Sequence, residues 1–594
     1  MSNTICHHLL NIKNRKNVAV EFIKKRKWQT VSWSQYYDQI EKLAGGLRVL
    51  GVVPKQKIVI ISNTRLEWAL ADLAVLGLGG VVVPIYQSSI ADEIAFILKD
   101  CGAETVIFES EELYKRFEKI KSQVSTIKNM VGMTFSNKDV KHWDDVMVDG
   151  AKYKKEQPNF FQQACLNTDL NDLATIVYTS GTTGFPKGVC LHHEQVMSEI
   201  SEVFKVIDIN TTDKSLTFLP FAHIFGRVEH WAHAYMGFTM AYAESVEKVR
   251  DNLIHAKPTF LLAVPRIFEK IYTSMQTQAE SSPLKSKIFK WALQVGYKMS
   301  ENRINKKIPP LSLVLEYQAA KRLVFDKLMK KLGGRLRFAV SGGAPLSSEI
   351  SKFFHASNLL ILEGYGLTET TAAVFLNTPY EYRFGSVGKP IGEVQVKIAS
   401  DGEVCVKSKK VMHSYYNNEV ATKEVFDNDG YFKTGDIGEL DSEGFLKITD
   451  RKKDLIKTAG GKYVAPQKIE NLLKLDRNIS NVLIHGDQKK YIVSLITLNA
   501  DTMKSFAQDN QIDYKDISEL SKHPRVKDLI RNAVAQANSQ LASYETIKNF
   551  AILPNDFTVE NGELTPSLKV KRKVLDKKYE SQIKALYGGD EAGA

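Results

Sequence analysis

One run constrains the chain more than any other: Tyr178-Thr179-Ser180-Gly181-Thr182-Thr183-Gly184-Phe185-Pro186-Lys187-Gly188 follows directly on the apolar stretch Leu173 to Val177. Glycines permit positive φ and close approach of the backbone to an anion. The hydroxyls, exposed N–H groups and Lys187 bring donors and charge to where phosphate oxygens would sit. A plain flexible turn asks for glycine, but not for Thr179, Ser180, Thr182, Thr183 and a lysine together. The run therefore reads as a polyphosphate loop after a buried strand. It departs from the Walker pattern, which needs Gly-Lys-Ser/Thr in sequence, because Lys187 is followed by Gly188 and Val189; this argues against a P-loop NTPase.

Strand-length apolar runs at Ile58 to Ile61, Val81 to Ile85, Thr105 to Phe108, Leu173 to Val177 and Leu336 to Val340 alternate with amphipathic stretches. In one of these, Ser34 to Leu50, the residues Tyr36, Ile40, Leu43, Ala44 and Leu47 share a helical face. Such alternation predicts parallel sheets covered by helices. Residues 280 to 332 are rich in Lys, Arg, Leu and Phe, carry no strand signal and read as a helical insertion, with a linker over 300 to 310 marked by Lys306, Lys307, Pro309 and Pro310. Its basic face suits a membrane surface or plain solvent, solvent being the commoner use.

After Arg451 the segments become shorter and more charged, with strand-like Asn481 to Ile484 and Tyr491 to Leu498 and helical stretches around Ala465 to Lys474 and Val526 to Ser543. The expected class is α/β: a large N-terminal lobe, residues 1–450, of parallel or mixed sheets flanked by helices, and a small mobile C-terminal α+β lid, residues 451–594. The charged, wet connection Asp450-Arg451-Lys452-Lys453 is the expected hinge.

A net charge of +12 over 594 residues favours anionic partners such as nucleotides, CoA, nucleic acid or an anionic membrane surface, although a generally basic solvated surface accounts for most of the lysines. No zinc spacing or aromatic-basic signature supports a nucleic-acid partner. Cys6, Cys101, Cys165, Cys190 and Cys405 are far apart and form no CxxC pair, as expected of reduced thiols in a cytoplasmic protein. The longest apolar stretch, Leu73 to Val83, holds three glycines and stops at Pro84, short of the ~20 residues that span a bilayer. Residues 1 to 17 show no long apolar core. A cytoplasmic place, at most peripheral to the inner face of a membrane, is expected.

Further runs occur in order: Leu219-Pro220-Phe221-Ala222-His223-Ile224-Phe225, Ser341-Gly342-Gly343-Ala344-Pro345, Gly364-Tyr365-Gly366-Leu367-Thr368-Glu369-Thr370, Tyr431-Phe432-Lys433-Thr434-Gly435-Asp436, Asp450-Arg451-Lys452-Lys453-Asp454-Leu455-Ile456-Lys457 and Leu564-Thr565-Pro566-Ser567-Leu568-Lys569. With the Tyr178 to Gly188 run, this series resembles the AMP-forming adenylate enzymes, the superfamily of acyl-CoA synthetases, luciferases and the adenylation domains of peptide synthetases. The runs Pro220 to Arg227 and Val264 to Lys270 are similar to the long-chain fatty acyl-CoA synthetase branch. The activity this resemblance implies is that of a fatty-acid CoA ligase: a long-chain fatty acid and ATP, with Mg2+, give acyl-AMP and pyrophosphate, and CoA then gives acyl-CoA and AMP. A ligase for medium-chain or aromatic acids and an enzyme loading an acyl carrier protein use the same chemistry and stay open. A non-catalytic lipid- or membrane-binding protein of this fold is more remote, since Lys569, Glu369 and Asp436 are all present. Chain-length preference and oligomeric state are not assigned.

A carboxylate is a poor electrophile, and bringing it to a triphosphate requires charge neutralisation and in-line placement. The resemblance implies how that work is divided. Thr179, Ser180, Gly181, Thr182, Thr183, Gly184 and Lys187 would hold the β- and γ-phosphates. Glu369 would be the Mg2+ carboxylate with Thr179 beside it, and Thr368 would touch the α-phosphate. Tyr365, between Gly364 and Gly366, would stack on adenine, with Gly343 and Ala344 leaving room for it. Asp436 and Arg451 would take the ribose. Lys569 would meet the charge that builds between carboxylate and α-phosphate, then withdraw as the lid turns about Lys453 and brings Lys457 round. His223 would lie between the nucleotide and the acyl or thiol channel. Taken singly, Thr368-Glu369 would be a helix cap, Asp436 a turn residue, Lys569 part of a solvated basic run and His223 a packed core histidine. Some bacterial members carry a gating Trp four residues after this His; Arg227 stands there here, Trp231 need not replace it, and the gate residue is left open.

Overall fold

The apolar run ahead of the glycine-hydroxyl loop is an interior strand, Leu173–Thr179, of an eight-stranded mixed sheet. The computed structural model describes residues 3–179, 186–558, 561–565 and 570–588. Across this sheet the strands lie in the order Ser414–Tyr415, Lys187–His192, Leu173–Thr179, Val81–Ile85, Lys57–Ile61, Thr105–Phe108, Asn129–Gly132, Lys141–His142. From Leu173–Thr179 onward every pairing is parallel, while Lys187–His192 and Ser414–Tyr415 add antiparallel at the loop end. Val81–Ile85 and Thr105–Phe108 are buried along their whole length, which is why they read as unbroken apolar runs rather than as alternation.

The helix Trp33–Val49 buries Tyr36, Ile40, Leu43, Ala44 and Leu47, as its periodicity predicts. The apolar stretch Leu73 to Val83 resolves into the end of a helix, Leu66–Gly77, buried on all sides, and the start of a core strand. No helix among the described residues is long and apolar enough to cross a membrane.

A second sheet orders Phe260–Ala263, Phe338–Ser341, Leu360–Leu367, Ala372–Leu376 and Lys389–Pro390, the first three parallel and the last two antiparallel. A third joins Lys214–Thr217, Thr239–Tyr242, Val18–Lys24 and Lys27–Ser32. The insertion holds the helices Pro283–Ile304 and Leu311–Ala320 and the helical turn Lys321–Phe325, which pack Ala292, Val295 and Met299 against Leu313, Tyr317, Val324 and Phe325. Its linker is shorter than the Lys/Pro signal implied. Residues 300–304 stay helical because Ser300 is buried and hydrogen-bonds His355 Nδ1 at 2.6 Å.

The chain divides into two compact units. The first holds Met1–Lys397, Cys405–Thr434 and Asp441–Leu446; the second holds Ile398–Val404, Gly435–Leu440 and Lys447–Ala594. Asp436, ahead of residue 450, thus falls in the same unit as Arg451. Within the second unit the strands Ile479–His485, Ile492–Leu498 and Ile547–Ile552 form a sheet, and the helices Pro466–Leu473 and Pro524–Asn538 close a core around Ile469, Val482, Ile496, Val526 and Ile530.

Gly366 sits where Leu360–Leu367 turns back, and a Cβ there would fall 1.4 Å from the Ala372 carbonyl oxygen, which only backbone movement could relieve. At Gly364 the nearest obstacle is the movable Leu376 Cδ1 at 3.0 Å. Gly366→Ala is expected to lower unfolding free energy by about 3 kcal/mol or more, and Gly364→Ala by about 1 kcal/mol. Thermal unfolding of the two variants side by side checks the ordering.

Candidate active site

The strands Leu173–Thr179 and Lys187–His192 pair in a register that sets Thr179 opposite Lys187, and Thr179 Oγ1 donates to the Lys187 carbonyl at 3.4 Å. Those two residues pin the ends of the glycine- and hydroxyl-rich run. Ser180, Gly181, Thr182, Thr183 and Gly184 lie outside the described residues. The Lys187 ammonium stands 5.0 Å above the ring of Tyr415, a cation–π distance. The Tyr415 hydroxyl donates to Glu369 Oε1 at 2.8 Å. Tyr415 comes from the edge strand Ser414–Tyr415, opposite Val189, and joins the loop lysine to the candidate metal carboxylate. Sequence reasoning missed it; its only signal is the short aromatic pair Tyr415-Tyr416.

Thr368 and Glu369 occupy a 3-10 turn, Thr368–Thr370, at the end of Leu360–Leu367. Thr370 Oγ1 accepts from Leu367 N–H at 2.8 Å and donates to the Ala372 carbonyl at 3.0 Å. Thr371 and Ala372 follow at φ 55° and 83°, left-handed backbone that is costly without glycine and persists only where surroundings enforce it. The enforcement is a buried ion pair. Lys410 Nζ lies 3.2 Å from both Glu199 Oε2 and Glu202 Oε2 and donates to the Ala373 carbonyl at 3.3 Å. Glu199 Oε1 accepts the Ala373 N–H at 2.8 Å, Thr371 Oγ1 donates to the Lys410 carbonyl at 2.7 Å, and Met412 N–H donates to the Glu369 carbonyl at 2.7 Å. Burial pushes the Glu199 carboxyl up to about 7 against the pull of Lys410. In sequence Lys409-Lys410 reads as a wet basic pair, so nothing marks Lys410 as a core residue.

Gly364, Tyr365 and Gly366 end one strand, and Gly343 and Ala344 follow its parallel neighbour Phe338–Ser341. Both runs therefore sit at strand carboxyl ends, where open α/β sheets take their ligands. Tyr365 is half-buried with its ring 6.2 Å from Phe375; Gly343 has φ 81° and Ala344 is exposed. A Cβ on Gly342 would meet the ring of Phe225 at 3.3 Å, which packs this turn against the helix Ile224–Met236.

His223 caps that helix, its Nδ1 accepting the Phe225 N–H at 3.2 Å, and is half-buried rather than packed in the core. Thr64 Oγ1 fixes the approach by donating to the Leu219 carbonyl at 2.6 Å and accepting Phe221 N–H at 3.2 Å. One turn further, Arg227 is wholly buried. It pairs with Asp72, donates to Thr175 Oγ1 at 2.5 Å and lies 4.7 Å from the Trp231 ring and 5.4 Å from the Trp68 ring. Trp231 Nε1 also donates to Asp72 at 2.8 Å. Burial raises the Asp72 carboxyl, but Arg227, His230 and Trp231 outweigh it and hold the group below its ordinary value. The position that some bacterial members give to a gating Trp is here a fixed, buried cation. Glu229, on the same helix and fully buried, is pushed up by burial to about 7 against the pull of Ser215 and Thr217.

In the second unit, Arg451 Nε lies 2.9 Å from Asp436 Oδ1. Gly435 before it has φ 73°, and Lys452 N–H returns to the Gly435 carbonyl at 2.9 Å. Lys452 pairs with Asp401 at 2.6 Å and Glu403 at 2.8 Å. Asp450 is buried, not wet; burial raises it to about 6 while it accepts the N–H of Arg451 at 2.6 Å and of Gln467 at 3.2 Å. Lys453 is exposed, as is Lys457, whose ammonium stands 5.7 Å from the Tyr463 ring. Lys569 lies outside the described residues. The site candidates are thus gathered in two groups: Thr179, Lys187, Thr368, Glu369, the two glycine turns and His223 in one unit, and the Asp436–Arg451 pair with Lys453 and Lys457 in the other.

The profile of the AMP-binding enzyme family matches residues 12–416, and that of the AMP-binding enzyme C-terminal domain matches residues 453–591. The chain is 37% identical over 563 residues to the long-chain-fatty-acid–CoA ligase FadD15 of Mycobacterium bovis, covering 94% of this chain and 92% of that one. Among solved structures, the adenylation domain of a carboxylate reductase from Mycobacterium chelonae superposes with a TM-score of 0.76 at 20% identity, covering 98% of this chain and 91% of that one. O-succinylbenzoate CoA synthetase from Bacillus subtilis, solved with ATP and a magnesium ion, gives a TM-score of 0.66 at 21% identity, covering 96% and 99%. Those two likenesses establish the fold.

Two expectations follow from the buried charges. Lys410→Met leaves Glu199 buried without its cation and should cost about 3–5 kcal/mol, read as a lower urea midpoint. Glu229 holds its proton to about pH 7 in the fold, against an ordinary value of 4.5. Its contribution is therefore full below the unfolded value and lost as pH rises through 7. Glu229→Gln removes that loss, so the variant should exceed the parent by about 3 kcal/mol at pH 8.5 and by no more than about 1 kcal/mol at pH 5; chemical unfolding at the two pH values decides.

Proposed function

The chain belongs to the AMP-binding enzyme family, and on that premise we propose that it works as an AMP-forming long-chain fatty-acid CoA ligase whose nucleotide site is built on Glu369, Tyr415 and Lys187. It joins a fatty acid to AMP with loss of pyrophosphate, then transfers the acyl group to the thiol of CoA with loss of AMP. The observation that carries the site assignment is the tether from Lys187 through Tyr415 to Glu369, because it holds one cation and one carboxylate ready for a triphosphate before any ligand arrives.

Glu369 and Thr179 present hard oxygen donors, a carboxylate and a hydroxyl, and fit Mg2+, which they would hold and which supplies positive charge to the phosphate oxygens when bound with the nucleotide. Lys187, with the hydroxyls and N–H groups of the 179–187 run, binds the β- and γ-phosphates. Thr368 donates to the α-phosphate. Tyr365 offers its ring face to adenine above the small residues Gly343 and Ala344. Asp436 accepts from the ribose hydroxyls, and Arg451, already 2.9 Å from it, orients that carboxylate. Lys569 places an ammonium where charge grows as the carboxylate oxygen attacks the α-phosphorus and pyrophosphate leaves. For the second step, turning about Lys453 withdraws Lys569 and presents Lys457, and the CoA thiolate displaces AMP from the acyl carbon. His223 lines the approach of the acyl or thiol group. The five described cysteines are buried free thiols, which suits a reducing compartment, and a substrate that partitions into bilayers makes contact with the inner face of a membrane part of this reading.

Fatty-acid-dependent ATP–pyrophosphate exchange without CoA, run over a panel of chain lengths, should peak with long chains. Lys569→Ala should lower that exchange by at least about 1,000-fold, the scale of a lost charge-stabilising donor, while leaving ATP affinity within about threefold. Near-normal pyrophosphate release by the variant would remove Lys569 from the mechanism.

A further inference from the structure

The turn of the helical insertion carries a feature that neither its packing nor the ligase chemistry uses. The inner faces of Pro283–Ile304 and Leu311–Ala320 already pack on one another through Ala292, Val295, Met299, Leu313 and Tyr317. On the outside, Ile308 is 95% exposed, Leu311 75% and Leu315 64%. Leu311 and Leu315 are one turn apart and share a face. Scattered exposed apolar residues are normal, but here seven of the nineteen large apolar side chains exposed among the described residues fall between Leu284 and Leu323. Charge concentrates in the same place: from Pro283 to Lys331 there are twelve Lys and Arg against three Asp and Glu, so this segment accounts for +9 within a chain of net +12. At the turn itself, Lys306 and Lys307 are exposed beside Ile308, and Pro309 and Pro310 follow. Proline has no N–H, so two backbone donors that would resist leaving water are missing there.

We propose that this turn, Asn305 to Leu315, docks the protein on an anionic lipid bilayer, Ile308, Leu311 and Leu315 entering the interface while Lys306, Lys307 and the basic helices on either side lie against the headgroups. Charge complementarity selects that occupant. Each Lys or Arg near an anionic surface contributes on the order of 1 kcal/mol, and an exposed turn with three large apolar side chains beside two lysines matches an interface of acyl chains under negative headgroups. Such docking draws its use from the ligase reading, since a long-chain acid is stored in bilayers, but it is measured without it.

The test sediments the full-length protein with vesicles of phosphatidylcholine containing about one-third phosphatidylglycerol, and with phosphatidylcholine alone. The parent should bind the anionic vesicles at least about tenfold more tightly than the neutral ones. The triple variant Ile308→Glu, Leu311→Glu, Leu315→Glu should lose at least about tenfold in binding to anionic vesicles, with ATP–pyrophosphate exchange on a monomeric, sub-micellar fatty acid unchanged. Ile308→Trp, which guards against misfolding of the triple variant, should show a blue-shifted emission on anionic vesicles. Failure of the parent to sediment with anionic vesicles, unchanged binding by a folded triple variant, or an unshifted Ile308→Trp emission would each overturn the proposal. The expected vesicle pattern in a protein that exchanges no fatty acid would uphold docking and remove the ligase reading instead.

Discussion

The buried ion pair between Glu199 and Lys410 is the constraint on which the turn carrying Thr368 and Glu369 depends. Two left-handed residues, Thr371 and Ala372, are needed to reverse the chain after Glu369, and neither is a glycine that would accept such a backbone freely. The strain is held by five contacts that converge on the pair: two carboxylates on Lys410, the Ala373 amide on Glu199, the Ala373 carbonyl on Lys410 Nζ, and Thr371 on the Lys410 backbone. Removing charge from water is expensive, and such a pair adds little net stability over an apolar substitute. What it adds is direction. Apolar side chains in place of the whole pair could fill the space, but they could not donate to a carboxylate and a carbonyl at once and so could not fix where Glu369 points.

Much of the architecture was legible in the sequence because the parallel strands are buried on both faces and so write themselves as unbroken apolar runs, as at Val81–Ile85 and Thr105–Phe108. The helix Trp33–Val49 was legible for the complementary reason, an apolar face at helical spacing. The linker within the insertion was overextended because Lys306, Lys307, Pro309 and Pro310 give a turn signal, while the contact that keeps 300–304 helical, Ser300 to His355, spans fifty-five residues and leaves no local trace. The same holds at the site. The glycine- and hydroxyl-rich motifs announce themselves, since turn chemistry alone does not ask for several hydroxyls and a lysine together. Tyr415, Glu199 and Lys410 do not: each looks like an ordinary surface residue until the strand pairing Ser414–Tyr415 with Lys187–His192 and the burial of Lys410 are known.

The division of the chain has a similar lesson. A boundary at residue 450 follows from the change in charge and segment length, yet compactness draws Gly435–Leu440 into the second unit with Lys447–Ala594. A strand can change allegiance partway along, since its hydrogen bonds run sideways while its membership depends on what packs on its faces. As a result Asp436 and Arg451, fifteen positions apart, form one rigid feature on a single unit, 2.9 Å from each other.

Arg227 has a consequence of its own. It is bound at once to Asp72 on the helix Leu66–Gly77, to Thr175 on the strand Leu173–Thr179 and to the indole of Trp231 one turn along its own helix. That riveting fixes the helix capped by His223 against the helix and strand beside it and leaves the Trp231 indole, itself bonded to Asp72, no room to swing. On the proposed reading, whatever parts to let a greasy tail slide past must do so around this helix, so the tuning of entry belongs to its neighbours.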